Sequence, residues 1–281
     1  MLPTAQLDEI IDRALAEDLP GEDLTSSLTV DAATRARAVA VARSALVVCG
    51  GAVFARVFER VDPSAKVSAK MAEGAAAARG DALWVVEGNA RALLAGERTA
   101  LNFAQRMSGV ATLARTYVDA LPEGSKAIVT DTRKTTPGLR VLERYAVRTG
   151  GAHNHRNDLS SAVLIKDNHI IAAGGIERAI ERARAGAPHT SRIEVEVQNL
   201  DELARALDAR ADIVLLDNFD VERLKEAVRR TSGRAILEAS GGVTLETISK
   251  IAQTGVDVIS VGALTHSAPA ADIALDLELL A

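Results

Sequence analysis

The second half of the chain repeats one pattern, an apolar strand followed by an amphipathic helix, and this repeat limits the folds open to it. From residue 193 the strand segments read IEVEV, DIVLLDN, AILEAS and DVISVG, and the helical segments between them read LDELARALDARA, VERLKEAVRRT and TLETISKIAQTG. Successive βα units give parallel strands, because each helix carries the chain back across the sheet. The segments AIVTD, AVLIKD and GGIERAIERARAGA extend the pattern back to residue 126. We therefore predict a parallel α/β sheet whose strands are apolar on both faces.

The ends of the last strands favour a barrel over an open, doubly wound sheet. Glu196, Asp217, Ser240 and Gly262 occupy corresponding places after four successive strands, and ASGGVT and SVGALTHS form glycine-rich turns. A (β/α) barrel places its phosphate site in the loops after its final strands. Eight units typically need about 250 residues, and the repeating segment is much shorter. We therefore expect an incomplete barrel.

The first part of the chain shows helical and strand patterns but not the regular alternation of strand and helix. TAQLDEIIDRALAEDL predicts an amphipathic helix with Leu7, Ile10, Ile11, Ala14 and Leu15 facing inward. RARAVAVARSALVVCG and DALWVVEG predict strands, and NARALLAGERTALNFAQRMSGVATLARTYVDAL predicts a long helix that ends at PEG. Residues 1–110 are thus predicted to form an α+β domain, and residues 111–267 the barrel domain.

Composition excludes several classes of protein. The formal net charge is −5 and aromatic residues make up 2% of the chain, which argues against a nucleic-acid partner. Its one cysteine, Cys49, cannot form an internal disulfide. No apolar stretch approaches the ~20 residues of a membrane span, and the N-terminal segment lacks the basic and apolar regions of a secretion signal. We expect a cytoplasmic enzyme with no membrane partner.

Cations gather where the early strands of the repeat end. Arg133 and Lys134 follow the first strand, His155 and Arg156 lie in a glycine-led loop, and Lys166 ends the next strand. The carboxyl ends of parallel strands meet at one edge of the sheet and form the ligand site of such folds. A lysine that ends a buried strand is costly unless it meets an anion. The cluster therefore predicts an anion site.

The later strands bring acids and glycines to the same edge. Glu196 and Asp217 offer carboxylates, which suit sugar hydroxyls or Mg²⁺. Each also has a simpler explanation, because Glu194 or Glu196 could face solvent at a sheet edge and Asp217 could cap the next helix. Ser240, Gly241, Gly242 and Gly262 predict two backbone nests for one phosphate. A phosphorylated sugar that reacts with a carboxylate-bearing small molecule would satisfy all of these groups.

The histidines raise an alternative. His153 and His155 form an H-x-H pair like that of barrel metallohydrolases. Such a site needs further histidine and aspartate ligands on later strands, and the strand ends that follow offer no histidine. Arg156 beside the pair would also repel a metal. The metallohydrolase is therefore the weaker interpretation.

The motifs together resemble a known family. TRKTTPGLR, NHR, LIKDNHI, EVEV, LLDNF, EASGGV and ISVGALTHSAP look like quinolinate phosphoribosyltransferase, and EDLPGEDLTSSL and NFAQRMSGVAT extend the resemblance upstream. It implies conversion of quinolinate and phosphoribosyl diphosphate, with Mg²⁺, to nicotinate mononucleotide, diphosphate and CO₂ in NAD synthesis. It also implies an N-terminal α+β sandwich followed by an incomplete, about seven-stranded α/β barrel. Residues 268–281 would return to the first domain.

The resemblance also implies roles for individual residues. Arg133, His155, Arg156 and Lys166 would bind quinolinate, with Arg106 supplied by the partner subunit of a homodimer or of a higher oligomer. Lys134 would face phosphoribosyl diphosphate, and Glu196 and Asp217 would lie near the ribose and metal. The 5′-phosphate would be held by Ser240, Gly241, Gly242 and Gly262. Without the resemblance, Arg106 is only a solvated arginine on a helix.

One departure from the family pattern is visible, and two further alternatives remain. The tract after NHR carries Asp158 and Ser161 where the family commonly has a glycine and an acid. A relative with another acceptor, such as the molybdenum-associated enzymes, would share the fold. A non-catalytic sensor of phosphoribosyl diphosphate would keep the glycine nests. Both alternatives are weakened by the complete set of cations that matches a dicarboxylate.

Overall fold

A computed structural model describes residues 2–280 of the chain. Its elements in chain order are α1 (Thr4–Asp18), α2 (Leu24–Thr29), β1 (Arg35–Ala42), β2 (Leu46–Val47), α3 (Gly51–Val61), β3 (Lys66–Ala69), β4 (Ala76–Ala77), β5 (Ala82–Asn89), α4 (Ala90–Asp119), β6 (Ile128–Thr130), α5 (Arg140–Thr149), β7 (Val163–Ile165), α6 (Asp167–Ala173), α7 (Ile176–Gly186), β8 (Ile193–Val197), α8 (Leu200–Asp208), β9 (Ile213–Asp217), α9 (Val221–Thr231), β10 (Ile236–Ser240), α10 (Leu245–Ala252), β11 (Val258–Ser260), α11 (Ala263–His266) and β12 (Ile273–Leu279).

Contacts divide the chain into two compact units. The first unit comprises the chain up to Arg115, the segment Thr135–Gly151 and the chain from Leu264 onward. The second unit comprises Thr116–Lys134 and Ala152–Ala263. The first unit therefore takes α5 from within the stretch that the sequence analysis gave to the barrel domain.

The first unit is built on an antiparallel sheet with the strand order β12-β1-β5-β3. β1 shows the alternation expected of a half-buried strand, because Ala36, Ala38, Ala40 and Ala42 have no exposed surface. The tail strand β12 pairs with β1 along seven residues, from Ala36↔Leu279 to Ala42↔Ile273. The C-terminal segment thus completes the sheet of this unit.

An aromatic group fills the core of the first unit although aromatic residues are rare. Phe54 and Phe58 of α3 pack edge to face at 5.0 Å, and Phe54 stacks on Trp84 of β5 at 5.1 Å. The helix α3 was not predicted, although its apolar residues recur at helical spacing. In α1, Leu7 and Ile11 are buried, whereas the other apolar residues expected to face inward are partly exposed.

The second unit contains a parallel sheet with the strand order β6-β11-β10-β9-β8-β7. Helices follow the strands, as the repeat predicted, and the fold class is confirmed. Six strands form the sheet, and His153 adds an isolated parallel bridge to Thr130 of β6. The sheet thus has one strand fewer than the about seven that the family resemblance implied.

The register of this sheet places polar residues on one of its faces. Glu196 pairs with Leu215, and Leu215 with Glu238. One step further along the same face, Asp217 pairs with Ser240, and Ser240 with Ser260. The expectation of strands apolar on both faces is therefore wrong for this face, because alternate residues of β8, β9 and β10 carry carboxylates or hydroxyls that point the same way.

Candidate active site

A cavity of about 410 Å³ lies at the carboxyl ends of the parallel strands. Its volume is in the range of small-molecule sites. It brings together most of the side chains that the sequence predicted for the site: Arg133, Lys134, His155, Arg156, Lys166, Glu196, Asp217 and Ser240. The rest of the lining consists of Thr132, Leu164, Leu215, Glu238 and Ser260.

Two arginines in the cavity place like charges close together. The pKa of Arg156 is lowered first by burial and then by the positive charge of Arg133. Bringing two guanidinium groups together is unfavourable unless an anion lies between them or beside them. Arg156 is anchored by a hydrogen bond from Nη1 to the carbonyl of Ala162 at 3.2 Å. The pair is therefore arranged to receive a carboxylate or a phosphate.

A buried aspartate holds the loop that carries the histidine and one arginine. Asp131 has no exposed surface. Its two oxygens accept hydrogen bonds from the backbone N–H of His155 at 2.8 Å and from Nδ2 of Asn154 at 2.6 Å. The sequence analysis did not single out Asp131. The available signal was its position, directly after an apolar strand and beside two cations.

Lys166 and Glu196 form an ion pair across neighbouring strands. The Nζ–Oε2 distance is 2.5 Å. The backbone N–H of Lys166 donates to Nδ1 of His169, so His169 caps α6. The anion that Lys166 was expected to meet is thus present within the protein, and a substrate carboxylate would have to share this lysine with Glu196.

Asp217 is not the cap of the helix that follows it. Asp220 caps α9 by accepting from the backbone N–H of Arg223 at 2.8 Å. Asp217 instead accepts from Nδ2 of Asn218 at 3.0 Å and lines the cavity. The alternative in which Asp217 serves as a helix cap is therefore wrong.

His155 lies against two buried glutamates. Its Nε2 atom is 3.3 Å from Oε2 of Glu194 and 3.5 Å from Oε2 of Glu238. Against the opposing effect of burial, hydrogen bonds to both carboxylates raise the pKa of His155 to about 10. Burial is the largest cause that raises the pKa of Glu194.

These glutamates correct one expectation and add one residue. Glu194 belongs to β8, which lies inside the sheet, and it is 4% exposed. The suggestion that Glu194 faces solvent at a sheet edge is therefore wrong. Glu238 was not predicted, because within AILEAS nothing distinguishes an acid that faces the cavity from one at an ordinary strand position.

The glycine turn after β10 requires glycine at one position in particular. Gly241 has φ +91°, and a Cβ atom there would lie 2.2 Å from Oδ1 of Asn218. Gly242 has φ +63°, but no atom lies within 4 Å of its added Cβ. Gly241 and Gly242 are the two residues after the lining residue Ser240, and Gly262 comes two residues after the lining residue Ser260.

Arg106 lies in the first unit, where its guanidinium is hydrogen-bonded. It donates to Oε1 of Glu143 at 2.7 Å, to the carbonyl of Ala268 at 2.7 Å and to the carbonyl of Thr265. The Arg106 side chain is 24% exposed and that of Glu143 is 1% exposed. Arg106 is therefore more than a solvated helix arginine, and its role toward a partner subunit stays a prediction.

The loop that departs from the family pattern is closed by its own side chains. The hydroxyl of Ser161 accepts from the backbone N–H groups of Asn157 at 2.9 Å and Asp158 at 3.1 Å. Asp158 in turn accepts from the backbone N–H of Ser160 at 2.8 Å. The two unusual residues thus stabilise a compact turn next to Arg156.

Comparisons with known proteins match this chain along nearly its whole length. Models of the N-terminal and C-terminal domains of quinolinate phosphoribosyl transferase match residues 23–108 and 110–276. The chain belongs to the quinolinate phosphoribosyl transferase family. The nicotinate-nucleotide pyrophosphorylase [carboxylating] of Mycobacterium leprae is 44% identical over 286 residues, covering 99% of this chain and 100% of that protein. A probable enzyme of the same name from Bacillus subtilis is 39% identical, covering 98% and 94%.

A solved structure shows the same fold for a member of this family. The crystal structure of NadC from Streptococcus pyogenes matches with a TM-score of 0.96 and 39% identity, covering 100% of this chain and 99% of that one. As a quinolinate phosphoribosyl transferase, the chain is a phosphoribosyltransferase with the two-part α/β architecture described above. Among residues 2–280, no helix combines the length and apolarity needed to cross a membrane.

Proposed function

We propose that this protein transfers the phosphoribosyl group of phosphoribosyl diphosphate to quinolinate, with loss of CO₂, to give nicotinate mononucleotide and diphosphate for NAD synthesis. The observation that carries the proposal is the neighbouring pair Arg133 and Arg156 in a cavity that Asp217 and Ser240 also line. One cavity thus offers a cationic site for a dicarboxylate and a polar site for a phosphorylated sugar.

The cationic side chains of the cavity are proposed to bind quinolinate. Arg133 and Arg156 offer planar guanidinium groups, which bind carboxylates through two parallel hydrogen bonds. Lys166 and His155 complete the set, and both already face carboxylates of the protein. A dianion that enters the cavity relieves the repulsion between the two arginines, and this relief favours its binding.

The acidic and glycine-rich strand ends are proposed to bind phosphoribosyl diphosphate. The 5′-phosphate is assigned to the backbone of Ser240, Gly241, Gly242 and Gly262. Support comes from the positive φ angles of Gly241 and Gly242, because such turns direct successive N–H groups toward an anion. Lys134, which lines the cavity, is assigned to the diphosphate.

Glu196 and Asp217 are proposed to hold Mg²⁺ together with the substrate. Both are half-buried carboxylates that line the cavity, and carboxylate oxygens are the ligands that Mg²⁺ prefers. When bound, Mg²⁺ would neutralise the negative charge of the leaving diphosphate. Glu196 already forms an ion pair with Lys166, whereas Asp217 accepts a hydrogen bond from the neutral side chain of Asn218. The contact of Asp217 therefore competes less strongly with Mg²⁺ than the ion pair of Glu196 does.

The reaction depends on how the two bound substrates are positioned relative to each other. The cations hold the pyridine nitrogen against the anomeric carbon, and diphosphate leaves as the new C–N bond forms. Carboxylates near the ribose stabilise the positive charge that develops on the sugar. The ring of the new nucleotide carries a positive nitrogen, which stabilises the electron pair left on the adjacent carbon when its carboxylate departs as CO₂, and a proton then binds this carbon to give nicotinate mononucleotide.

The proposal includes a homodimer in which Arg106 reaches the partner's site, and a cytoplasmic location. The exposed quarter of the Arg106 side chain is compatible with a contact outside its own subunit. The single, buried Cys49, which has no second cysteine to pair with, is compatible with a reducing compartment.

The direct test is to incubate the purified protein with quinolinate, phosphoribosyl diphosphate and Mg²⁺. We expect nicotinate mononucleotide, diphosphate and CO₂ in equal amounts. Nicotinate in place of quinolinate serves as a control, because it lacks the second carboxylate that the arginine pair is proposed to bind. Binding of phosphoribosyl diphosphate without any product would instead indicate a sensor.

A further inference from the structure

The loop at 157–161 directly follows Arg156 and contains no buried residue. Leu159, in the middle of this loop, is 70% exposed. A loop of this kind gains little from apolar burial, so its shape depends on its own hydrogen bonds. Arg156, one of the two arginines proposed to bind quinolinate, is thus followed by a segment that core packing does not hold in place.

One hydroxyl group closes this loop. Oγ of Ser161 accepts from the backbone N–H of Asn157 at 2.9 Å and from that of Asp158 at 3.1 Å, and it donates to the carbonyl of Asp158 at 3.2 Å. A serine hydroxyl has one donor and two acceptor sites, so its full capacity is used inside the turn. Ser161 does not line the cavity, and is therefore not placed to touch a substrate itself.

The closed turn is connected to the guanidinium of Arg156. Ala162 directly follows Ser161, and its carbonyl accepts from Nη1 of Arg156 at 3.2 Å. On the other side of the arginine, the buried Asp131 accepts from the backbone N–H of His155 at 2.8 Å. Asp131 thus fixes the backbone before Arg156, whereas the exposed turn fixes a carbonyl that the guanidinium contacts.

We propose that Ser161 is a positioning residue for Arg156. By closing the turn, its hydroxyl holds the carbonyl of Ala162 in place and so keeps the guanidinium oriented in the cavity before quinolinate binds. A binding group that is ordered in advance has less freedom to lose on binding. Arg156 is a quinolinate ligand only under the proposed function, on which this inference therefore rests.

The test is steady-state kinetics of the Ser161→Ala variant with each substrate varied in turn. Without the hydroxyl, the KM for quinolinate should rise about 3- to 10-fold, the effect of having to order one freely rotating side chain on binding. The KM for phosphoribosyl diphosphate should stay at the wild-type value, and kcat should change by less than about twofold, as expected when substrate and transition state lose the same interaction.

Two variants serve as matched controls. Ser160→Ala changes the neighbouring serine, which gives the turn its backbone N–H and not its hydroxyl. Ser161→Thr keeps the hydroxyl. Both should retain the wild-type KM for quinolinate, and a Ser161→Thr protein as impaired as Ser161→Ala would contradict the role given to the hydroxyl.

The same change in an Arg156→Ala background shows whether Ser161 acts through the arginine. Two residues that act through one contact are not additive, so Ser161→Ala should lower kcat/KM for quinolinate no further once the guanidinium is absent. Equal fold losses in the two backgrounds would show that Ser161 does not position Arg156.

The remaining outcomes separate this inference from the proposed function. Wild-type protein that forms no product from quinolinate would refute the proposed function and, with it, this inference. An active wild type whose KM for quinolinate does not respond to Ser161→Ala would overturn the inference alone. Ser161 is exposed, so Ser161→Ala should keep the wild-type midpoint of chemical denaturation. A variant that fails to fold would make the role of Ser161 one of stability and the assignment wrong.

Discussion

At the scale of single residues, the cavity depends on charges that the fold holds close together. Burial, and after it the positive charge of Arg133, lowers the pKa of Arg156. Such an arrangement opposes folding and is more typical of a functional site than of a stabilising network. Substitutions here should therefore change activity more than stability.

Arg133→Ala tests the dicarboxylate site. A charge-assisted hydrogen bond contributes about 1.5–3 kcal/mol, so kcat/KM for quinolinate should fall at least tenfold. The midpoint of chemical denaturation should barely change. Steady-state kinetics with quinolinate as the varied substrate would measure the effect, and Arg182→Ala, an exposed change on α7, serves as the control. Unchanged kinetic constants would remove Arg133 from the quinolinate site.

Glu143→Ala tests a charge whose role is structural. Glu143 accepts from Arg106 and from both the N–H and the hydroxyl of Thr136. Removing one member of a buried ion pair costs about 3–5 kcal/mol, and the lower end applies because Arg106 is partly exposed. Denaturation followed by the fluorescence of Trp84, the one tryptophan of the chain, reports on the same unit. Glu143→Gln keeps an acceptor, so an equal loss in both variants would contradict this account.

At the scale of elements, the sequence predicted the order of strands and helices in the repeat but not how the strands align. Buried strands and amphipathic helices have local signals, so β8 to β11 and α7 to α10 lie where the pattern placed them. Register depends on contacts between distant segments. The register pairs Asp217 with Ser240, whereas Glu196 pairs with Leu215, which lies two residues before Asp217 on β9 and on the same face of the sheet. Glu238 was missed for the same reason, whereas the cations were found because Lys166 directly follows β7 and the others lie in the loops between the early strands.

The turn after β10 offers a matched pair of substitutions. Gly241→Ala adds a Cβ atom 2.2 Å from Asn218, whereas Gly242→Ala adds one with open space around it. Both carry the cost of a positive φ, about 1–2 kcal/mol, but only Gly241→Ala must also move Asn218. Titration calorimetry with phosphoribosyl diphosphate should show the weaker binding for Gly241→Ala. Equal affinities for the two variants would remove the clash from the explanation.

At the scale of the whole molecule, an acidic protein is proposed to bind two anionic substrates. The chain carries a formal net charge of −5, so its overall field does not attract them. Attraction must come from cations concentrated at the site, which are supplied by distant parts of the sequence. Arg133 and Arg156 belong to the second unit, whereas Arg106 belongs to the first. In a site shared between subunits, the Arg106 side chain of one subunit would add a positive charge to the cavity of the other subunit. It would add none to the cavity of its own subunit.

Mixed dimers of Arg106→Ala and Arg133→Ala subunits decide whether Arg106 serves its own subunit or its partner. If Arg106 acts across the interface, each variant alone should be nearly inactive, and a heterodimer should carry one site with both arginines and one with neither. Heterodimers isolated with two different affinity tags should then regain roughly half of the wild-type activity, because a symmetric dimer has two equivalent sites. Trp84 fluorescence must first show that Arg106→Ala is folded, since that change leaves the buried Glu143 without its guanidinium partner. Folded heterodimers that stay inactive would place the role of Arg106 within its own subunit, where it holds Glu143 and the carbonyls of Thr265 and Ala268.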